Sequence, residues 1–297
     1  MALTRERWAV GPEPSNAQQA EYWNEVAGPR WVDLQERLDA QLGPLGEAML
    51  VRAALAPGDR VLDVGCGCGA SSLQAAEHVA PGGSVVGLDL SAPMLRRARE
   101  RASAAGVASL VFERADVQTR AFSSGSAEVV ISRFGVMFFA SPEAAFTRLR
   151  AALVPDGRLS FVCWQALDRN AWMSAPLAAV AQLLPLPAPR EPGAPGPFAF
   201  ADPERVRAIL AAAGFESICV EGLEGELSLG GARTAEEAGA FLLEVGPASH
   251  ALRDAGADEA LRRRAAELVA EALVPYAGEG SVRAPFAAWI VTGRSPR

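Results

Sequence analysis

The sequence predicts an α/β fold, a mostly parallel sheet with helices on both faces, and three observations carry that prediction. Short apolar runs suited to strands alternate with helical patterns from residue 60 to residue 163. The first strand runs into a glycine-dense turn that opens a helix, Gly65-Cys66-Gly67-Cys68-Gly69. Half of the 297 residues are hydrophobic and 21% are charged, so there is apolar surface enough to cover a sheet on both sides. Alternation at such short spacing is the mark of right-handed crossover units, whose helices must lie on the sheet faces.

From Asn16 to Leu55 the pattern is helical, with Trp23, Val26, Trp31, Leu34, Leu38 and Leu42 recurring at three- and four-residue steps and Gly28-Pro29 as an expected break. Strands are expected at 60–64, 84–88, 110–112, 127–132 and 157–163. Helices follow the glycine turn as far as Val79, start at Ser91 and stop at Gly106, and run from Ser141-Pro142 to Leu153. Asp202-Pro203 opens a further helix that Gly214 closes, before strands at 216–220 and 285–292. Between those two strands, helical patterns cover 235–245 and 257–273. The segment 171–189 is apolar, but prolines at 176, 185, 187 and 189 break a spanning helix, so it reads as a surface insertion of turns and extended chain.

Composition excludes whole classes of chemistry. The chain has no lysine, and all 28 of its basic residues are arginine, which removes Schiff-base and P-loop lysine mechanisms. A net charge of −7 offers nothing to a polyanion, so neither nucleic acid nor an acidic membrane is an expected partner. Four cysteines in a chain of this length indicate a reducing compartment, and Met1 to Pro14 carries no apolar leader, so the expected location is the cytoplasm. Cys66 and Cys68 are expected as small residues in a turn and not as metal ligands. Cys163 and Cys219 are expected as packed thiols.

Val61-Leu62-Asp63-Val64-Gly65 delivers the chain into a turn where backbone can approach a ligand and helix-terminal N–H groups face it. Gly65-x-Gly67-x-x-Ala70 alone also satisfies a dinucleotide-binding pattern, so a nicotinamide-dependent oxidoreductase is the competing enzyme class. The neighbouring acids favour another ligand: Asp89 at the second strand's end suits two ribose hydroxyls, Asp116 after the third suits an exocyclic amine, and Asp63 adds a carboxylate near a cation. With these residues in place, the stretch from Arg60 to Trp164 resembles the class I S-adenosylmethionine-dependent methyltransferases of the small-molecule, quinone-biosynthesis-like type. The motifs VLDVGCGCG, VVGLDLS, ERADVQ, VVISRFGVMFF and PDGRLSFVCW carry the resemblance.

The resemblance implies a Rossmann-like, seven-stranded, mostly parallel sheet with an antiparallel last strand and a helical cap. The expected division is an N-terminal helical lid (1–57), the cofactor-binding core (58–165), a Pro-rich insertion (166–200), more core (201–223), a helical cap (224–280) and the final strand (281–297). It implies S-adenosylmethionine as cofactor and S-adenosylhomocysteine as product. Gly65, Cys66 and Gly67 would lie along the methionyl part, Asp89 would hold the ribose, and Leu90 would flank the adenine. Asp116 and Val117 would read its edge, and the Ser132 carbonyl would face the amino group.

Trp23, Trp31, Phe134, Met137, Trp164 and Trp172 are the expected lid and acceptor-pocket residues, which suit an apolar or aromatic small molecule. His250 is the expected general base, with Tyr22, Asp168 and Glu244 behind it, whereas His78 is expected in solvent. The fourth strand ends in Ser132-Arg133-Phe134-Gly135, without the carboxylates of metal-dependent relatives, so metal-free methylation of oxygen is favoured, with carbon or nitrogen next. A chain that binds the cofactor without catalysis is the third reading.

Overall fold

The computed structural model describes residues 16–188, 191 and 193–297. The leader reading at Met1 to Pro14 and the proline at 189 lie outside the described residues.

The chain begins with α1 (Ala17–Glu21), a π-helical turn (Tyr22–Val26), α2 (Ala27–Asp33) and α3 (Gln35–Ala53). Alternating units follow: β1 (Arg60–Val64), α4 (Ala70–His78), β2 (Ser84–Asp89), α5 (Ala92–Ala105), β3 (Leu110–Arg114), β4 (Ala127–Arg133), α6 (Pro142–Ala152) and β5 (Leu153–Trp164). Then come α7 (Ala171–Val180), α8 (Pro203–Ala212), β6 (Glu216–Ser228), α9 (Ala235–Leu242), α10 (Gly246–Asp254), α11 (Glu259–Leu273), β7 (Ala277–Gly278) and β8 (Ser281–Arg294).

The sheet order is β3-β2-β1-β4-β5-β8-β6, with β7 paired to β8 alone. β1 to β5 are parallel neighbours along this order, and β8 runs antiparallel between β5 and β6. Central β4 reads Val129-Val130-Ile131, all three fully buried, because helices cover both of its faces. Strand order reverses between β1 and β4. At such a switch point the connections leave in opposite directions and open a crevice beyond the carboxyl ends of the strands.

Several expectations are corrected. Gly28-Pro29 does not break the helical preface: Pro29 lies in the first turn of α2, where its missing N–H costs nothing. A Cβ on Gly28 would come within 2.1 Å of the Trp23 carbonyl oxygen and 2.5 Å of Ser91 Oγ, so this glycine serves close packing. Part of the insertion is α7, which buries Trp172, Met173, Pro176, Ala179 and Val180 against α10, α11 and β8. That burial offsets the hydrogen bond lost at Pro176.

β6 continues eight residues past the expected end. As the outer strand it is exposed along most of its length, and Glu221, Glu224 and Glu226 pair with Arg52, Arg169 and Arg283, which erased the apolar signal. For the same reason Cys219 is exposed, whereas Cys163 is buried. Two arginines of α5 reach back to backbone: Arg99 donates to the Phe112 carbonyl and Arg101 to the Cys68 carbonyl.

Candidate functional site

The tips of β1, β2 and β4 open into a cavity of about 190 Å³ that α2, α3, α7 and the start of α10 also wall. Gly65, Gly67 and Gly69 all have positive φ, at 67°, 55° and 82°, and let the chain wind from β1 into α4. The Gly65 and Cys66 amides both donate to the Leu88 carbonyl, at 2.8 and 3.1 Å, which straps the loop to β2. Asp89 completes the strap. Its Oδ2 accepts from the Gly67 amide and its Oδ1 from the Ser91 amide, each at 2.8 Å. Each oxygen is thereby fixed by one donor and keeps capacity for a second. Burial at the cavity floor raises the Asp89 carboxyl above the usual range, opposed by these two amides.

Asp63 lies behind the loop and does not line the cavity, contrary to the expected contact with a cation. It is fully buried; Oδ2 accepts from Ser71 Oγ at 2.7 Å and Ser72 Oγ at 2.6 Å, and Oδ1 has no partner among the described residues. Burial raises its carboxyl and the two serines oppose the rise. Ser132 is displaced too. It is buried off the cavity, donating to the Val64 carbonyl at 2.7 Å and accepting from the Gly135 amide at 3.2 Å, so it joins the tips of β1 and β4.

Leu90, Asp116 and Val117 line the next stretch of wall. Asp116 is 2% exposed, accepting from the Gln118 amide at 2.9 Å and from Asn16 Nδ2 at 3.0 Å. The sequence reading missed Asn16. It lines the cavity, and its buried Oδ1 has no partner among the described residues, so an acceptor stands beside Asp116 where an amine is expected. The helical preface is fastened here as well: Asn24 donates to the Leu90 carbonyl at 3.1 Å, and Ser91 Oγ donates to the Trp23 carbonyl at 2.7 Å.

Also missed was a charged wall. Arg133 and Arg101 share the Asp39 carboxylate at 3.1 and 3.0 Å; Asp39 and Arg133 line the cavity. Arginine at the end of a strand and aspartate on a helix gave no local signal, because only the packing of α3 over β4 joins them.

The other end of the cavity is aromatic. Trp23, Trp31, Phe134, Met137, Trp164 and Trp172 all line it. Phe134 stacks on Trp164 with centroids 4.1 Å apart, Trp172 follows at 5.2 Å, and Trp23 meets Phe138 edge-on at 5.1 Å. Cys66 and Cys68 are buried, and burial raises both thiols, Cys68 to about 12, so they stay protonated at neutral pH.

His250 is corrected as well. It lies within α10 and not in a loop, it is absent from the cavity wall, and its Nε2 meets the Tyr22 hydroxyl. Tyr22, Asp168 and Glu244 do not line the cavity either; Glu244 pairs with Arg30. Two links therefore tie the preface to the α9–α10 region, with Arg253 placed over the Tyr22 ring. A latch predicts that His250→Ala and Tyr22→Phe each weaken ligand retention a few-fold and that the double variant is no worse than either single one. Ligand off-rates measure this. A loss of turnover in His250→Ala with the off-rate unchanged would restore a chemical role.

Residues 61–157 match the family of methyltransferase domains. Residues 61–157 thus carry a methyltransferase domain. Over 116 residues it is 37% identical to nocamycin O-methyltransferase of Saccharothrix syringae, covering 39% of this chain and 41% of that protein. Over 118 residues it is 32% identical to aklanonic acid methyltransferase DauC of Streptomyces sp. strain C5, covering 40% and 54%. The aligned part thus spans about half or less of these curated relatives. In fold, the chain resembles the crystal structure of YcgJ from Bacillus subtilis at a TM-score of 0.54 and 15% identity, over 86% of this chain and 98% of the other.

Proposed function

We propose that the chain transfers a methyl group from S-adenosylmethionine to an oxygen atom of a small apolar or aromatic acceptor. One observation carries the reading: a single cavity is lined both by the glycine loop with Asp89 and by a wall of aromatic side chains, so a nucleoside and a flat acceptor can meet within it. The lining fits the cofactor: the loop has no room for side chains, the Asn16 Oδ1 lacks a partner among the described residues, and carboxylates at the tips of β2 and β3 suit hydroxyls and an amine.

Asp89 would hold the ribose, Leu90 and Val117 would flank the adenine, and Asp116 with Asn16 would take its amine. Gly65, Cys66 and Gly67 would follow the methionyl part, with Arg133 near its carboxylate. S-adenosylmethionine, when bound, supplies a methyl carbon already activated by a positively charged sulfur. What remains for the protein is orientation and exclusion of water. Positioning of this kind is worth about 7–11 kcal/mol in favourable intramolecular models.

The names of the two curated relatives, one an O-methyltransferase and one acting on an acid, support an oxygen acceptor. The β4 tip, Ser132-Arg133-Phe134-Gly135, offers no carboxylate set for a metal. All four cysteines are free thiols, which accords with the cytoplasm, and among the described residues no helix is long and apolar enough to cross a membrane.

Isothermal titration with S-adenosylmethionine and with NAD, followed by incubation with methyl-labelled cofactor and a panel of phenols, enols, carboxylic acids and amines, tests the reading. Binding of the sulfonium compound and label in an ether or ester are expected. Binding of NAD alone would overturn it, and cofactor binding without transfer to any acceptor would favour a non-catalytic binding protein.

A further inference from the structure

Two hydrogen-bond donors in the cavity wall are buried without partners. Gln41 is 1% exposed and Trp172 is 6% exposed, both line the cavity, and neither Gln41 Nε2 nor Trp172 Nε1 has a partner among the described residues. The Gln41 amide is not free to flip. Its Oε1 accepts from the Gly230 amide at 2.9 Å, which leaves the NH₂ group as the unpaired end.

Helix geometry separates Gln41 from the cofactor end. Asp39 turns toward Arg101 and Arg133, and two residues further along α3 a side chain is rotated by about 200°. Gln41 therefore faces the side where Gly230 follows β6, away from the charged wall. Trp172 belongs to that aromatic end through its contact with Trp164. An isolated buried donor is unfavourable unless what fills the cavity accepts from it.

A second observation concerns the proton. Among the described residues that line the cavity there is no histidine and no tyrosine, and the sequence has no lysine. The two thiols are held protonated. Asp39 is shared between two arginines, while Asp89 and Asp116 belong to the nucleoside end. No group at the aromatic end is suited to take a proton from a neutral phenol or alcohol at neutral pH.

Resting on the methyl-transfer reading above, we propose that the acceptor is a flat apolar molecule with an oxygen already ionised near neutral pH, a carboxylate or an acidic enol or phenol. Gln41 Nε2 and Trp172 Nε1 donate to its oxygens and orient it. An oxyanion needs no base, and two neutral donors in an apolar slot stabilise it without neutralising it.

The test compares 3-hydroxy-2-naphthoate with 2-naphthol, which share a ring system and differ in the carboxylate, by calorimetry on protein saturated with S-adenosylhomocysteine. Wild type is expected to bind the naphthoate at least tenfold more tightly. Trp172→Phe, which removes the N–H together with part of the aromatic surface that both probes share, is expected to cut that preference at least threefold. Gln41→Glu, which keeps an acceptor for the Gly230 amide but replaces the donor with an acceptor, is expected to abolish it. Binding of 2-naphthol should change less than twofold, and S-adenosylhomocysteine affinity within twofold of wild type shows that each variant is folded. Equal binding of the two probes by wild type, or an unchanged preference in both folded variants, overturns the proposal while leaving methyl transfer standing. Failure of wild type to bind S-adenosylhomocysteine overturns the methyl-transfer reading itself.

Discussion

Asp89→Ala is expected to weaken S-adenosylmethionine binding at least tenfold, and about a hundredfold if the glycine loop loosens with it. The carboxylate has two tasks. It presents oxygens to the cavity, and it anchors Gly67 and Ser91 through two amide bonds of 2.8 Å. A hydrogen bond to a charged group is worth about 1.5–3 kcal/mol, and each 1.4 kcal/mol is a factor of ten in affinity. Loss of one ligand contact therefore gives the lower figure, and loss of the anchor gives the higher. Asp89→Asn should fare little better, because one of its two polar ends must point an N–H at a backbone N–H. Acidification tests the same group in wild type. Protonation removes acceptor capacity, and burial has raised this carboxyl, so affinity should begin to fall at a higher pH than an ordinary aspartate dictates. Calorimetric titration measures all three; near-normal affinity in both variants would refute the assignment.

What the sequence made legible was whatever depends on local order. The strand, glycine turn and helix at 60–78, and the acids at or just past the ends of β2 and β3, are set by short-range chain geometry, and the structure brings Gly65, Cys66, Gly67, Asp89, Leu90, Asp116 and Val117 to one cavity. Asp63 and Ser132 show the limit of that reasoning. Alternation along a strand says that a side chain leaves one face, but whether that face meets the cavity or the packed interior depends on α4 above Asp63 and on the neighbouring tip beside Ser132. Asn16, Asp39 and Gln41 were invisible for a different reason: α1 to α3 reach the site from outside the alternating units, and nothing local tells which polar residue of an amphipathic helix turns inward. His250 was misplaced because a helix beginning at Gly246-Pro247 reads as a turn until its buried stripe, Ala248, Ala251 and Leu252, is seen to pack.

Gly135→Ala is expected to be more damaging than a single methyl suggests, and its cause separates from that at Gly65. Gly135 has an ordinary φ of −79°, so alanine meets no backbone penalty there. Its Cβ, however, would come within 2.6 Å of the Val64 carbonyl oxygen and 2.8 Å of Gly65 Cα, both backbone atoms unable to swing aside. Gly65 meets the same contact from the other side, 2.6 Å from Gly135 Cα, and adds a φ of 67°. Overpacking costs about 1–3 kcal/mol, and the left-handed region adds about 1–2 kcal/mol for an L-residue. Forcing the β1 and β4 tips apart also displaces the loop that Asp89 anchors, so both variants should lose S-adenosylmethionine affinity more than tenfold. Thermal unfolding should drop by several degrees for Gly135→Ala and further for Gly65→Ala. Gly106→Ala supplies the control: it shares a φ of 67°, but its Cβ meets nothing within 4 Å, so it should lower thermal stability by the backbone cost alone and leave affinity unchanged. If Gly135→Ala behaves like Gly106→Ala, the two strand tips are not in the tight contact on which the shape of the site depends.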